Sequence, residues 1–122
     1  MSKKTKRILI FVLAGCLLIV YSIIAETRRH ARIEESRFQF TRHAIQFTCQ
    51  QIQKYKAIHS KLPDTLTQLM FNDGATDTLS TTGQLGDGWG TLLQYTKIGE
   101  DSFEVRSAGP DKIMGTEDDI TN

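Results

Sequence analysis

The sequence has little of what a disulfide scaffold, a nucleic-acid binder or an enzyme needs. Its 122 residues include two cysteines, two prolines and one tryptophan. Cys16 lies in an apolar run and Cys49 in a predicted helix far along the chain. Those are different media, so no intrachain disulfide is expected, and cysteine says little about redox compartment. An excess of charge is missing too: 15 basic and 14 acidic residues leave a net charge of +1. Nucleic acid is therefore not an expected partner, since binding it needs a basic excess on one face. No nucleophile stands in a recognisable strained turn. His30, His43 and His59 are spread along one predicted helix, on different faces, and cannot converge on one metal. No enzymatic activity is expected. The length allows one domain at most.

The charge that is present is unevenly placed. Glu26, Glu34 and Glu35 aside, every acidic residue falls after Lys61, where the basic residues are Lys97, Arg106 and Lys112. An acidic second half can solvate itself, bind cations, or both. The first half opens on Lys3, Lys4, Lys6 and Arg7, followed by the uncharged run from Ile8 to Ala25. As a helix that run spans roughly 27 Å, close to a hydrocarbon core of about 30 Å. We read residues 8–25 as an uncleaved transmembrane helix in contact with the lipid bilayer. Two rivals stay open. A cleaved secretory signal would be shorter and would end on a small-x-small site, and no clear A-x-A follows here. Leu13-Ala14-Gly15-Cys16 matches a bacterial lipobox, which would put a lipid on Cys16; the chain stays apolar from Leu17 to Ile24, where mature lipoproteins turn polar. The basic tail at residues 1–7 predicts a cytoplasmic N-terminus, against the pull of Arg28, Arg29 and Arg32 on the other side.

From Glu26 to Ser60 there is neither Pro nor Gly. Phe38, Ile45, Cys49, Ile52 and Tyr55 recur at three- and four-residue steps, broadened by Phe40, Ala44, Phe47 and Ile58. That period predicts an amphipathic stalk helix over 26–60, continuing the membrane helix into one rod. At about 50 residues the rod is on the order of 75 Å long. Up to Arg37 it is charged nearly all round; beyond that it has a face to bury.

Lys61-Leu62-Pro63 ends the rod, because the residue before a proline disfavours the α region. Leu62, Leu66 and Leu69 offer a short apolar face on a predicted helical turn at 64–70. Residues 72–88 read as a loop. Residues 91–97 and 103–107 read as two strands joined by the turn Ile98-Gly99-Glu100-Asp101. Two strands alone are marginal in water, so the apolar stripe of the rod must supply the other half of the core. The stretch from Ser107 to Ile120 is full of turn residues. Asp111 and the pair Asp118-Asp119 bracket a loop that can curl toward one point. Calcium takes about six to eight oxygens from carboxylates and backbone carbonyls, which such a loop can offer; a solvated acidic turn is the competing reading. The alternating pattern of an EF-hand is absent.

Asp87-Gly88-Trp89-Gly90, then Gln94-Tyr95, then Ser107-Ala108-Gly109-Pro110-Asp111, then Asp118-Asp119-Ile120 resemble, in order and spacing, the C-terminal half of the major pseudopilin of type II secretion, the G component. That family shows a D-P-W-G turn, a Y-x-Y strand, an S-x-G-x-D segment and a closing acidic D-I. Leu62-Pro63 with Leu66 and Leu69 is similar to its Y-P-x-x…L-x-x-L stretch. The likeness covers residues 61–122. It implies an α+β, pilin-like fold, with a long N-terminal helix on a small antiparallel sheet. It also implies a structural calcium ion in the last loop, with Asp111, Asp118 and Asp119 as carboxylate ligands and the carbonyl of Ala108 as a backbone ligand. Trp89 would be a packing anchor.

The N-terminus departs from the family pattern, in which a Gly closes a short basic leader and a Glu stands at the fifth mature position. Here the nearest Gly is Gly15, with Val20 where that Glu would be, so we expect no prepilin cleavage. Gly88 stands where the family has Pro, which should loosen the turn. The expected arrangement is a cytoplasmic tail (1–7), a transmembrane helix (8–25), a stalk (26–60) and a pseudopilin-type domain (61–122). That chain would cross the bacterial inner membrane once, with its C-terminal domain in the periplasm, and associate with other pseudopilin or secretion-system subunits. The alternative is a non-filament scaffold built on the same domain.

Overall fold

The computed structural model describes residues 1–71 and 86–122; the loop expected at 72–88 lies outside them up to residue 85. One helix, α1, runs from Lys3 to His59. By compactness the chain divides into Met1–Glu35 and Ser36–Asn122.

In the first unit the helix start is capped by Ser2, whose hydroxyl accepts from the Thr5 amide at 3.3 Å. The apolar run that follows is not buried at all. Phe11 is 76% exposed, and Leu17, Leu18 and Tyr21 are equally open. A core helix of a soluble protein would hide such side chains, since each gains about 1.5–3 kcal/mol on burial. The stretch is long and apolar enough to cross a membrane.

In the second unit α1 buries Thr41, Ala44, Ile45, Thr48 and Ile52. The spacing from Thr41 through Ile45 and Thr48 to Ile52 is one helical face. It meets Leu62, Leu66, Leu93 and Val105 in the core, with Cys49, Leu69, Tyr95, Phe103 and Ile120 packed around them. The two threonines on this face had no place in the expected apolar stripe. Their hydroxyls donate to carbonyls one turn back, Thr41 to Arg37 and Thr48 to Ala44, each at 2.8 Å. With those bonds made, burying a hydroxyl costs little.

The helix ends as an αL cap. Ser60 has φ 57°, and its amide donates to the Lys56 carbonyl at 2.8 Å. Pro63, fully buried, follows. A 3-10 helix, Leu66–Phe71, occupies the place of the expected helical turn.

The sheet has three antiparallel strands in the order β1-β2-β3: β1 at Gln94–Lys97, β2 at Phe103–Ser107 and β3 at Ile120–Thr121. Gln94 faces Arg106 and Lys97 faces Phe103 across the hairpin. The fold is therefore α+β, one long helix with a small antiparallel sheet, as expected of a pilin-like chain. Two details differ from the sequence reading. The first strand starts at Gln94 instead of Thr91, because the Thr91 amide and carbonyl are both taken by Asp87. The third strand carries no pattern of its own. Ile120 and Thr121 pair with Ser107 and Arg106, and the Asn122 side chain and amide bond the Val105 backbone beyond them.

Candidate functional site

Two linked features occupy the sheet end near the chain terminus: the turn at Asp87 and the acidic loop after Ser107. Asp87 is 5% exposed. One carboxylate oxygen accepts from the amides of Trp89 at 3.0 Å and Thr91 at 2.8 Å. The other accepts from the Ser107 hydroxyl at 2.8 Å. The Ser107 oxygen accepts in turn from the Gly109 amide at 3.0 Å. One buried carboxylate thus fixes the turn, the end of β2 and the entry to the acidic loop.

The same turn is pressed onto α1. Gly88 donates its amide to the Thr41 hydroxyl at 2.9 Å. A Cβ on Gly88 would stand 2.6 Å from the Arg37 carbonyl oxygen. Glycine here does not loosen the turn, contrary to expectation: it lets the turn approach the helix and supplies a donor that proline lacks. Trp89, 8% exposed, sets its ring edge-on to Phe38 with centroids 4.9 Å apart. It serves as the packing anchor that the resemblance implied.

The loop itself closes tightly. Ala108 is fully buried. Gly109 takes φ 67° and lies against the Asp118 carbonyl so closely that any side chain would collide with it. The two ends of the loop are therefore side by side. Asp111 accepts from the Ile113 amide at 2.9 Å and from the Thr116 hydroxyl at 2.7 Å. Asp118 is exposed. The Asp119 side chain is 8% exposed and pairs with Arg106 at 3.1 Å. Its Oδ2 also accepts from the Gly115 amide at 2.8 Å. Arg106 also donates from Nε to Glu104 Oε1 at 2.9 Å and pairs with the same oxygen through Nη2 at 2.7 Å. The other Asp119 oxygen, Oδ1, is buried without a hydrogen-bond partner.

A buried carboxylate oxygen with no donor is costly, and a cation would relieve it. Among the described residues no three His, Cys, Asp or Glu side chains converge as metal ligands. For Asp111, Asp118 and Asp119 to hold a cation together their carboxylates would have to turn toward one point, with backbone carbonyls and water completing its shell. Hard-oxygen donors of this kind suit calcium. Arg106 was missed as a site residue in the sequence, as were Ser107, Thr116 and Asp87. Asp87 and Ser107 left a trace there, each as the first residue of a quoted motif, Asp87-Gly88-Trp89-Gly90 and Ser107-Ala108-Gly109-Pro110-Asp111.

Three other titratable groups of this unit have shifted pKa values. Burial pushes the Cys49 thiol up from its ordinary 9.0, against a smaller opposing backbone hydrogen bond, so it stays protonated. The Tyr95 hydroxyl donates to the Pro63 carbonyl at 2.8 Å. Burial, and then the nearby Asp64 charge, raise its pKa above the ordinary 10.0. Lys56 reaches Asp101 at 2.8 Å and lowers that carboxyl below 3.8, mainly through the hydrogen bond. A groove of about 870 Å³ beside β3 is lined by Arg42, Gln46, Cys49, Gln50, Phe103 and Ile120, among others.

A long helix packed on a small antiparallel sheet, with a structured acidic loop sealing the last strand, defines a pilin-like structural protein. The family model for type II secretion system protein G matches residues 28–122. The chain belongs to that family. No curated protein and no solved structure matched it. The family is structural, and its function lies in the secretion apparatus.

Proposed function

We propose that this chain is a membrane-anchored, pseudopilin-like structural subunit of a type II secretion system or a related envelope assembly. The observation that carries the proposal is the family match over 28–122, joined to an exposed apolar helix before it. Residues 1–7 stay cytoplasmic, residues 8–25 cross the bacterial inner membrane once, residues 26–60 form the stalk, and residues 61–122 form the periplasmic domain. The positive-inside rule supports that orientation through Lys3, Lys4, Lys6 and Arg7. Its partners are other pseudopilin or secretion-system subunits. Photocrosslinking from the domain surface in intact cells should trap such subunits. Crosslinks only to other envelope proteins would favour the scaffold alternative. Mass spectrometry of the isolated chain should give an intact N-terminus; a lipid on Cys16 would replace the plain anchor with a lipoprotein.

A calcium ion in the last loop is part of the proposal. Asp111, Asp118 and Asp119 would hold it with the Ala108 carbonyl. The buried, unpartnered Oδ1 of Asp119 supports this assignment. The ion's role would be structural: it would neutralise the acidic loop and tie the chain end to the sheet. A chelator should lower the melting temperature of the full chain. At calcium about 100-fold above its dissociation constant, the loss is about 2.7 kcal/mol. A melting temperature indifferent to chelator, in the wild type and in Asp111→Ala alike, would remove the ion from the account.

A further inference from the structure

Directly after the apolar run, the helix carries Arg28, Arg29 and Arg32. They lie along one shallow concave face with Tyr21, Ile24 and Ile33. Successive residues turn by about 100°, so Tyr21, Arg28 and Arg32 fall nearly in line. The arginines stand about 4 to 11 Å beyond Ala25 along the helix axis. A headgroup layer is roughly 5–8 Å deep on each side of the hydrocarbon core. Residues 24–33 are exposed in their own unit. Among the described residues, no carboxylate pairs with any of the three arginines. Glu26, two residues before Arg28, turns instead to His30 at 3.5 Å. Glu34 and Glu35 follow two and three residues after Arg32, and each has contacts of its own.

We propose that Arg28, Arg29 and Arg32 form a collar that binds the phosphates of anionic phospholipid headgroups. This rests on the membrane-anchored reading and adds a lipid partner to it. The argument is charge and position together. Guanidinium groups make forked, charge-assisted hydrogen bonds to phosphate oxygens. Their apolar stems can lie along the acyl chains while the heads reach the phosphates. Tyr21 sits four residues, about 6 Å, before Ala25, with its polar tip within reach of the interface where such aromatic rings are favoured. The collar also accounts for arginines on the side of the anchor where the positive-inside rule would not place them.

The test uses the full chain reconstituted into phosphatidylcholine vesicles containing phosphatidylglycerol. Flotation of the vesicles first establishes that the chain inserts. Electron spin resonance with spin-labelled phosphatidylglycerol or phosphatidylcholine then measures which lipid the protein holds. The preference for phosphatidylglycerol should fall by about two-fold for each arginine replaced, allowing for screening at moderate salt. The triple variant Arg28→Gln, Arg29→Gln, Arg32→Gln should thus lose about eight-fold. Replacing Lys3, Lys4, Lys6 and Arg7 by Gln should leave that part of the preference in place. Should the triple variant not insert, the single Arg32→Gln carries the same test. A wild-type chain that floats, with variants that float and keep its lipid preference, overturns the collar and leaves the anchor standing. A wild-type chain that does not float overturns the anchor as well.

Discussion

The carboxylate of Asp87 is the best place to break this fold. Replacing it with alanine strands three donors in a region that is closed to water: two amides and one hydroxyl. A net contribution of about 1.5–3 kcal/mol is typical for each hydrogen bond to a charged group. The Ser107 hydroxyl can rotate and the turn can relax, so we expect a total near 3–5 kcal/mol instead of the full sum. That is a large share of the roughly 5–15 kcal/mol available to a domain. Asp87→Asn is milder. Its carbonyl oxygen can still accept from both amides, and only the bond to Ser107 changes sense. Because the Ser107 oxygen already accepts from Gly109, the expected cost is about 1 kcal/mol. The protein has a single tryptophan, and Trp89 is one of the groups bonded to Asp87. Its fluorescence therefore reports the unfolding of this region. Urea titration of the full chain in detergent, followed at Trp89, gives both values. An alanine variant within about 0.5 kcal/mol of wild type would refute the reasoning, and so would an asparagine variant as unstable as alanine.

Three further outcomes follow from the geometry. Gly88→Ala should destabilise by about 2 kcal/mol or more, because the new methyl meets the Arg37 backbone, which cannot swing away; thermal melts monitored by circular dichroism would register it. Ser60→Gly should stabilise by about 1 kcal/mol, since glycine takes the positive φ at the helix end without strain; an unchanged denaturation midpoint would count against the cap. Tyr95 has a folded pKa raised above 10.0, so its contribution is full below that value and is lost as pH rises through the folded value. Tyr95→Phe should therefore flatten the stability curve above about pH 10 and cost about 1 kcal/mol at neutral pH through the lost bond to Pro63; urea titrations across that pH range separate the two effects.

The sequence by itself determined the features that rest on local physics. An uncharged run sets a membrane-length helix, and the absence of Pro and Gly lets it continue. A three- and four-residue period marks the face to bury, and Leu62, Leu66 and Leu69 do pack where that pattern put them. The hairpin turn at residues 98–101 was readable for the same reason. Tertiary structure decided the rest, since it depends on what meets across space. Thr41 and Thr48 look polar in sequence but are buried, because each hydroxyl finds a carbonyl one turn back. Gly88 looks like slack in a turn until the helix backbone is seen against it. β3 exists only because β2 is beside it. In the acidic loop the spacing of Asp111, Asp118 and Asp119 was legible. That Arg106 takes one oxygen of Asp119 and leaves the other buried and bare was not. A carboxylate's partners are set by the fold around it, and Arg106 is brought there by a strand pairing that no local pattern encodes.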